Sequence, residues 1–130
     1  MNCAITMFSN RTQAGELLAK NLTSYTSNVL ILGLARGGVV VASAVARALN
    51  LPLDVLVVKK LSSPFDPELA VGAVAPDGVM LVDWPLAQRM GADEAYIQSV
   101  VSSEQLVVSE REKKYRKGKG PLKVRGKTVI

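Results

Sequence analysis

The sequence of 130 residues has no histidine and only one cysteine, Cys3. Histidine is the usual general base near neutral pH and the commonest metal ligand, and a single cysteine cannot form an internal disulfide. Zinc fingers and Ser-His or Cys-His catalysis are therefore excluded. Cys3 has no partner, and we assign it no function.

Long hydrophobic runs are also absent. The run from Gly38 to Ala44 covers seven residues and already contains Ser43, whereas a helix needs about 20 apolar residues to span a bilayer. The first eleven residues have neither the basic leader nor the continuous apolar segment of a secretory signal. We therefore expect a soluble, cytoplasmic protein with no membrane contact.

What the chain does contain is a composition typical of globular proteins, with 48% hydrophobic and 21% charged residues. At this length, a second domain would leave each half near the lower limit of roughly 50 residues for a hydrophobic core. We therefore predict a single domain over residues 1–130.

The net charge of +5 is unevenly distributed along the chain. Residues 111–127, the basic segment, hold nine basic residues against the single acidic residue Glu112, so the rest of the chain is net negative. Such a segment can attract nucleic acid or another polyanion, but lysine-rich segments are more often solvated surface. Nucleic acid is therefore the less favoured partner.

The first half of the chain has the pattern of a βαβ unit preceded by a helix. Asn10 and Gln13 form a capping-box pair at the start of the first helix. The unbroken apolar run Val29–Leu32 predicts a strand covered on both faces, as in a parallel sheet. The segment 39–49 predicts a buried helix, and the segment 53–58 predicts a second strand.

The second half predicts a flap and a long helix. Residues 61–67 predict a loop because they include two serines and two prolines. Short strands at 70–75 and 79–82 are predicted to pair antiparallel as a small flap. Asp93 is a predicted N-cap for a helix running to about Tyr115, and a last strand begins at Gly126.

These elements together predict an α/β fold with a parallel sheet flanked by helices and a small flap. The chain ends on three β-branched residues, 128–130, so we expect the sheet to be incomplete at its C-terminal edge. An open apolar edge favours pairing with a second copy, which makes a homodimer one expectation.

The candidate site is the connection between the first strand and the buried helix, because ligands collect at the carboxyl ends of parallel strands. Gly37 and Gly38 allow positive φ and close approach of a ligand, while the free N–H groups of the helix start favour an anion. Arg36 adds a planar cation suited to phosphate or pyrophosphate. In the alternative interpretation, the glycines only allow close packing and Arg36 points into solvent.

Further charged residues follow the second strand. Lys59 and Lys60 close that strand and are predicted to emerge at the same sheet edge as Arg36. Asp66 and Glu68, in the predicted loop, could hold a metal or position a substrate, but surface carboxylates of this kind are common and we favour that interpretation.

The sequence resembles the type I phosphoribosyltransferases, in particular a bacterial group of predicted phosphoribosyltransferases, almost from end to end. Each motif is weak alone, but together they are fairly specific. The matching residues are Phe8, Arg11, Ala14-Gly15, Leu18-Ala19, Gly33-Leu34, Arg36-Gly37-Gly38, Lys60-Leu61, Pro64, Pro67-Glu68-Leu69-Ala70, Gly72-Ala73, Tyr115-Arg116 and Gly126-Lys127-Thr128-Val129-Ile130.

The resemblance implies a five-stranded parallel sheet, a flap called the hood, and use of phosphoribosyl pyrophosphate with Mg²⁺. The loop matching Ala35, Arg36, Gly37 and Gly38 would receive the pyrophosphate, and Lys60 would be a further contact to it. The implied reaction is displacement of pyrophosphate from the ribose anomeric carbon by a nitrogen nucleophile.

The family signature of a hydrophobic strand, two adjacent acidic residues and a Thr-Gly loop would begin at Val129-Ile130, where the sequence stops. We therefore expect an amino-terminal part of a longer enzyme that is inactive alone, with catalytic residues and acceptor base unassigned. Two alternatives stay open: a non-catalytic module that binds a phosphorylated metabolite, and nucleic-acid binding through the basic segment.

Overall fold

The computed structural model describes residues 7–130, so Cys3 lies outside the described residues. Two compact units are present: one formed by residues up to Val55 together with Gly120–Ile130, the other by Leu56–Lys119. The prediction of one domain stays a prediction. In chain order, the helices and strands are α1 (Arg11–Ala19), β1 (Val29–Leu34), α2 (Gly37–Leu49), β2 (Leu53–Leu56), β3 (Lys59–Ser62), β4 (Ala70–Val74), β5 (Met80–Val82), α3 (Trp84–Arg89), α4 (Glu94–Tyr115) and β6 (Thr128–Val129).

The first unit is built on a sheet with the strand order β2-β1-β6. β6 runs parallel to β1, with Val29 opposite Thr128 and Leu30 opposite Val129. This confirms the predicted α/β fold with a parallel sheet flanked by helices. Its hydrophobic core joins β1 to the inner faces of α1 and α2. The buried members are Ala19, Val29, Ile31, Ala42, Val45 and Ala46.

The predicted start of α1 is confirmed in detail. The Asn10 side chain accepts a hydrogen bond from the backbone N–H of Gln13 at 2.9 Å, and the Gln13 side chain accepts one from the backbone N–H of Ser9 at 2.6 Å. These bonds satisfy two donors that the helix start would otherwise leave unpaired. The first turn of α1 is therefore fixed in position.

Two glycines let α2 approach its neighbours closely. A Cβ atom on Gly15 would lie 2.5 Å from the carbonyl oxygen of Val41 and 2.6 Å from Cβ of Ala44. A Cβ atom on Gly33 would lie 2.8 Å from Cα of Val39. Because these atoms belong to the backbone or its first side-chain carbon, only glycine fits at either crossing.

The second unit contains an antiparallel sheet with the order β3-β4-β5. The predicted hairpin is confirmed, since β4 and β5 pair antiparallel around the turn at residues 76–78. The predicted long helix is also confirmed, because the Asp93 side chain accepts a hydrogen bond from the N–H of Tyr96 at the start of α4. The buried hydrophobic residues of this unit include Leu61, Val71, Val74, Ala87, Ala92, Ile97 and Val108.

Two sequence predictions for this region are wrong. β2 ends at Leu56 instead of Val58, and the predicted loop 61–67 begins inside β3. Leu61 is fully buried and lies opposite Gly72, so burial of one side chain and pairing with β4 hold this polar segment in a strand. The helix α3 was not predicted, although Asp83 caps it and proline follows Trp84 in its first turn.

Within the described residues, none of the helices has both the length and the apolar character needed to cross a membrane.

Candidate anion-binding site

The connection between β1 and α2 consists of Ala35 and Arg36 alone. α2 begins at Gly37, two residues before the predicted start, and neither Gly37 nor Gly38 has a positive φ. The predicted use of these glycines for a left-handed backbone is therefore wrong. They form the first turn of the helix, and the Ala35–Arg36 peptide bond that precedes them is cis.

The first turn of α2 presents unpaired amide groups. Arg36 occupies the N-cap position but makes no side-chain cap, and the N–H of Val39 donates to the carbonyl oxygen of Arg36 at 3.2 Å. Within residues 7–130, the N–H groups of Gly37 and Gly38 have no hydrogen-bond acceptor. Free amides at the positive end of a helix dipole can bind an anion such as phosphate.

Arg36 is exposed beside this turn and has no ion-pair partner in the described part of the chain. A cation at a helix N-terminus is unfavourable, because the dipole there is already positive. A bound anion would offset this repulsion. The structure thus brings together Ala35, Arg36, Gly37 and Gly38, four of the five predicted site residues.

The fifth predicted residue, Lys60, belongs to the second unit. Its predicted place at the end of a parallel strand is wrong: it is the second residue of β3 and lies opposite Ala73 in the antiparallel sheet. Its ammonium group lies 3.7 Å from the carboxylate of Glu68, and both side chains are largely exposed. A surface ion pair of this kind contributes little stability, so exchanging Glu68 for another anion would cost Lys60 little free energy.

The loop carboxylates have a local structural role. The Asp66 side chain accepts a hydrogen bond from the N–H of Glu68 at 3.0 Å, and the Ser63 hydroxyl bonds both the N–H and the carbonyl oxygen of Asp66. Among residues 7–130 there is no group of three or more Asp, Glu or Cys side chains that could hold a metal ion.

Arg11 is a charged residue at this site that the sequence did not assign to it. A Cβ atom on Gly37 would lie 3.0 Å from Nε, 3.4 Å from Nη2 and 3.5 Å from Cζ of Arg11. The Arg11 guanidinium therefore lies against the first residue of α2. The sequence feature that could have indicated this position is the four-residue spacing of Arg11 and Gly15, which places both residues on the same face of α1.

Comparison with known proteins shows the family to which the chain belongs. The family model of the phosphoribosyl transferase domain matches residues 5–130. Curated proteins from two strains of Mycobacterium tuberculosis, each named "Putative phosphoribosyl transferase", are 38% identical over 125 residues, which is 95% of this chain and 28% of theirs. The crystal structure of TT1426 from Thermus thermophilus superimposes with a TM-score of 0.78 at 38% identity and covers 95% of this chain.

The chain belongs to the phosphoribosyl transferase domain family, as the resemblance implied. It spans 28% of the length of the curated relatives and 59% of the TT1426 chain.

Proposed function

We propose that this domain binds the pyrophosphate group of phosphoribosyl pyrophosphate at the turn 35–38 and belongs to an enzyme that transfers the phosphoribosyl group to a nitrogen acceptor. The observation that carries the proposal is the pair of unpaired amides of Gly37 and Gly38 beside the exposed Arg36. Family membership supports a ligand of this class.

In the proposed reaction, a nitrogen lone pair attacks the anomeric carbon of the ribose. The bond from that carbon to the pyrophosphate oxygen breaks, and its electron pair leaves with pyrophosphate. Positive charge develops on the sugar while negative charge grows on the leaving group. Preorganised donors aimed at the growing charge lower the barrier.

The residues of this chain act on the leaving group. The amides of Gly37 and Gly38 donate hydrogen bonds to pyrophosphate oxygens, and the Arg36 guanidinium donates a planar pair of N–H bonds. Mg²⁺ is an expected cofactor that would neutralise phosphate charge and so stabilise the leaving group, and we assign none of the described residues to hold it.

We further propose that these 130 residues bind pyrophosphate but do not turn over the substrate alone. The two adjacent acidic residues and the Thr-Gly loop of the family signature, which would grip the ribose and its phosphate, are not among them. A non-catalytic module that senses a phosphorylated metabolite would use the same anion site, so binding alone does not separate these two functions. Turnover after the signature residues are added would separate them.

Isothermal titration with inorganic pyrophosphate and with phosphoribosyl pyrophosphate tests the proposed binding. We expect a dissociation constant of about 1 mM or lower at low ionic strength, where charge interactions are least screened. Arg36→Ala should weaken binding of both ligands. Absence of binding to the wild-type chain would contradict the proposed function.

A further inference from the structure

The packing of α1 against α2 determines where Arg11 lies. Gly15 touches the carbonyl of Val41, and Arg11, one turn earlier in α1, touches Gly37, one turn earlier in α2. Moving one turn along α1, from Arg11 to Gly15, therefore moves the contact one turn along α2, from Gly37 to Val41. The two helices therefore run in the same direction across this crossing, and their N-terminal turns lie side by side.

The direction of the Gly37 Cβ bond indicates where the guanidinium lies relative to the helix. In an α-helix the Cα–Cβ bond tilts toward the N-terminus. A group that would touch Cβ of the first residue therefore lies on the N-terminal side of α2, the side to which the amides of Gly37 and Gly38 point. Glycine at position 37 leaves room for it.

Arg11 also has the wrong charge for its position unless an anion is present. It is the first residue of α1 and lies against the first residue of α2, so the positive ends of two helices lie beside its guanidinium. Within the described residues, Arg11 has no ion-pair partner, and its side chain is exposed. The Arg11 guanidinium and the positive helix ends repel one another in the protein alone. A bound multivalent anion would attract all of these groups and so offset the repulsion.

We propose that Arg11 is a second guanidinium of the pyrophosphate site, facing Arg36 across the first turn of α2. This inference rests on the proposed function, and the ligand class comes from family membership, not from the helix terminus. Arg36 enters the site from the connection before α2, whereas Arg11 enters from a separate helix. The site would thus hold pyrophosphate from two sides.

The test is titration of inorganic pyrophosphate into the 130-residue chain and into four variants. Arg11→Gln should raise the dissociation constant about tenfold, as expected for loss of one charge-assisted hydrogen bond. Arg11→Lys, which keeps the charge and loses the planar fork, should give an intermediate value. Arg36→Gln should weaken binding at least as much as Arg11→Gln.

Arg47→Gln is the matched control. Arg47 is an exposed arginine of α2 that lies about 15 Å along the helix from its N-terminal turn. Its dissociation constant should stay within twofold of wild type. Without pyrophosphate, the melting temperature of Arg11→Gln should equal or exceed that of wild type, because the variant relieves repulsion. A structural role for Arg11 would instead lower the melting temperature.

The outcomes separate the two proposals. If the wild-type chain binds pyrophosphate and Arg36→Gln weakens it, but Arg11→Gln binds within twofold of wild type, the role of Arg11 is refuted while the proposed function stands. If Arg47→Gln weakens binding as much as Arg11→Gln, only general charge attraction is at work and the inference also fails. If wild type does not bind, the proposed function itself fails.

Discussion

Gly15→Ala is the substitution that tests the helix crossing most sharply, because two effects of opposite sign compete. Alanine favours a helix interior over glycine by about 1 kcal/mol. The added Cβ, however, would lie 2.5 Å from the Val41 carbonyl oxygen and 2.6 Å from the Ala44 Cβ. Neither atom belongs to a flexible side chain, so the helices must separate. Overpacking of this kind costs about 1–3 kcal/mol.

The steric effect should therefore dominate. Because two contacts lie well below 3.0 Å, the overpacking cost should lie in the upper part of its range, at about 2–3 kcal/mol. Subtracting the helix-propensity gain of about 1 kcal/mol, we expect Gly15→Ala to lower the free energy of unfolding by about 1–2 kcal/mol. Urea unfolding followed by circular dichroism at 222 nm measures it. Gly120→Ala is the control, because a Cβ there would meet no atom within 4 Å and its φ is not positive. That variant should be neutral or slightly stabilised.

The same substitution should affect ligand binding. Separation of α1 from α2 moves Arg11 away from Gly37, so Gly15→Ala should also weaken pyrophosphate binding under conditions where the variant stays folded. A Gly15→Ala protein as stable as wild type would refute the close crossing, and the argument for Arg11 would lose its geometric basis.

Three further predictions follow from local structure. Asn10→Ala should cost about 1 kcal/mol of unfolding free energy in urea titration, because it removes the N-cap of α1; an unchanged midpoint would contradict this. Leu61→Ala, at a fully buried position, should cost about 2–5 kcal/mol by the same measurement, and a loss below about 1 kcal/mol would show that β3 is not packed as described. In fluorescence anisotropy with duplex DNA, any binding should fall steeply with salt and should not depend on Arg36; binding that disappears in Arg36→Ala would contradict separate sites.

Local patterns in the sequence were sufficient for much of the fold. The Asn10 and Gln13 pair predicted the start of α1, and Asp93 predicted the start of α4, because a capping hydrogen bond joins residues only three positions apart. The apolar run beginning at Val29 predicted a buried strand of the parallel sheet. These signals do not depend on tertiary contacts.

The missed features depend on contacts between residues distant in the sequence. β3 contains Lys59, Lys60 and Ser62, and only pairing with β4 makes this polar segment a strand. Arg11 enters the candidate site only because α1 crosses α2, which a linear sequence does not reveal. Gly37 does not adopt the left-handed backbone that glycine allows, and instead leaves room for the Arg11 guanidinium, a contact that the sequence alone does not reveal.

The most direct test of the central claim is to follow backbone amide resonances in a ¹⁵N–¹H correlation spectrum while inorganic pyrophosphate is added. The claim predicts that the largest changes occur at the amides of Gly37 and Gly38, and that they saturate with one ligand per chain. Unchanged resonances at these two glycines, with shifts spread along the basic segment 111–127 instead, would contradict it.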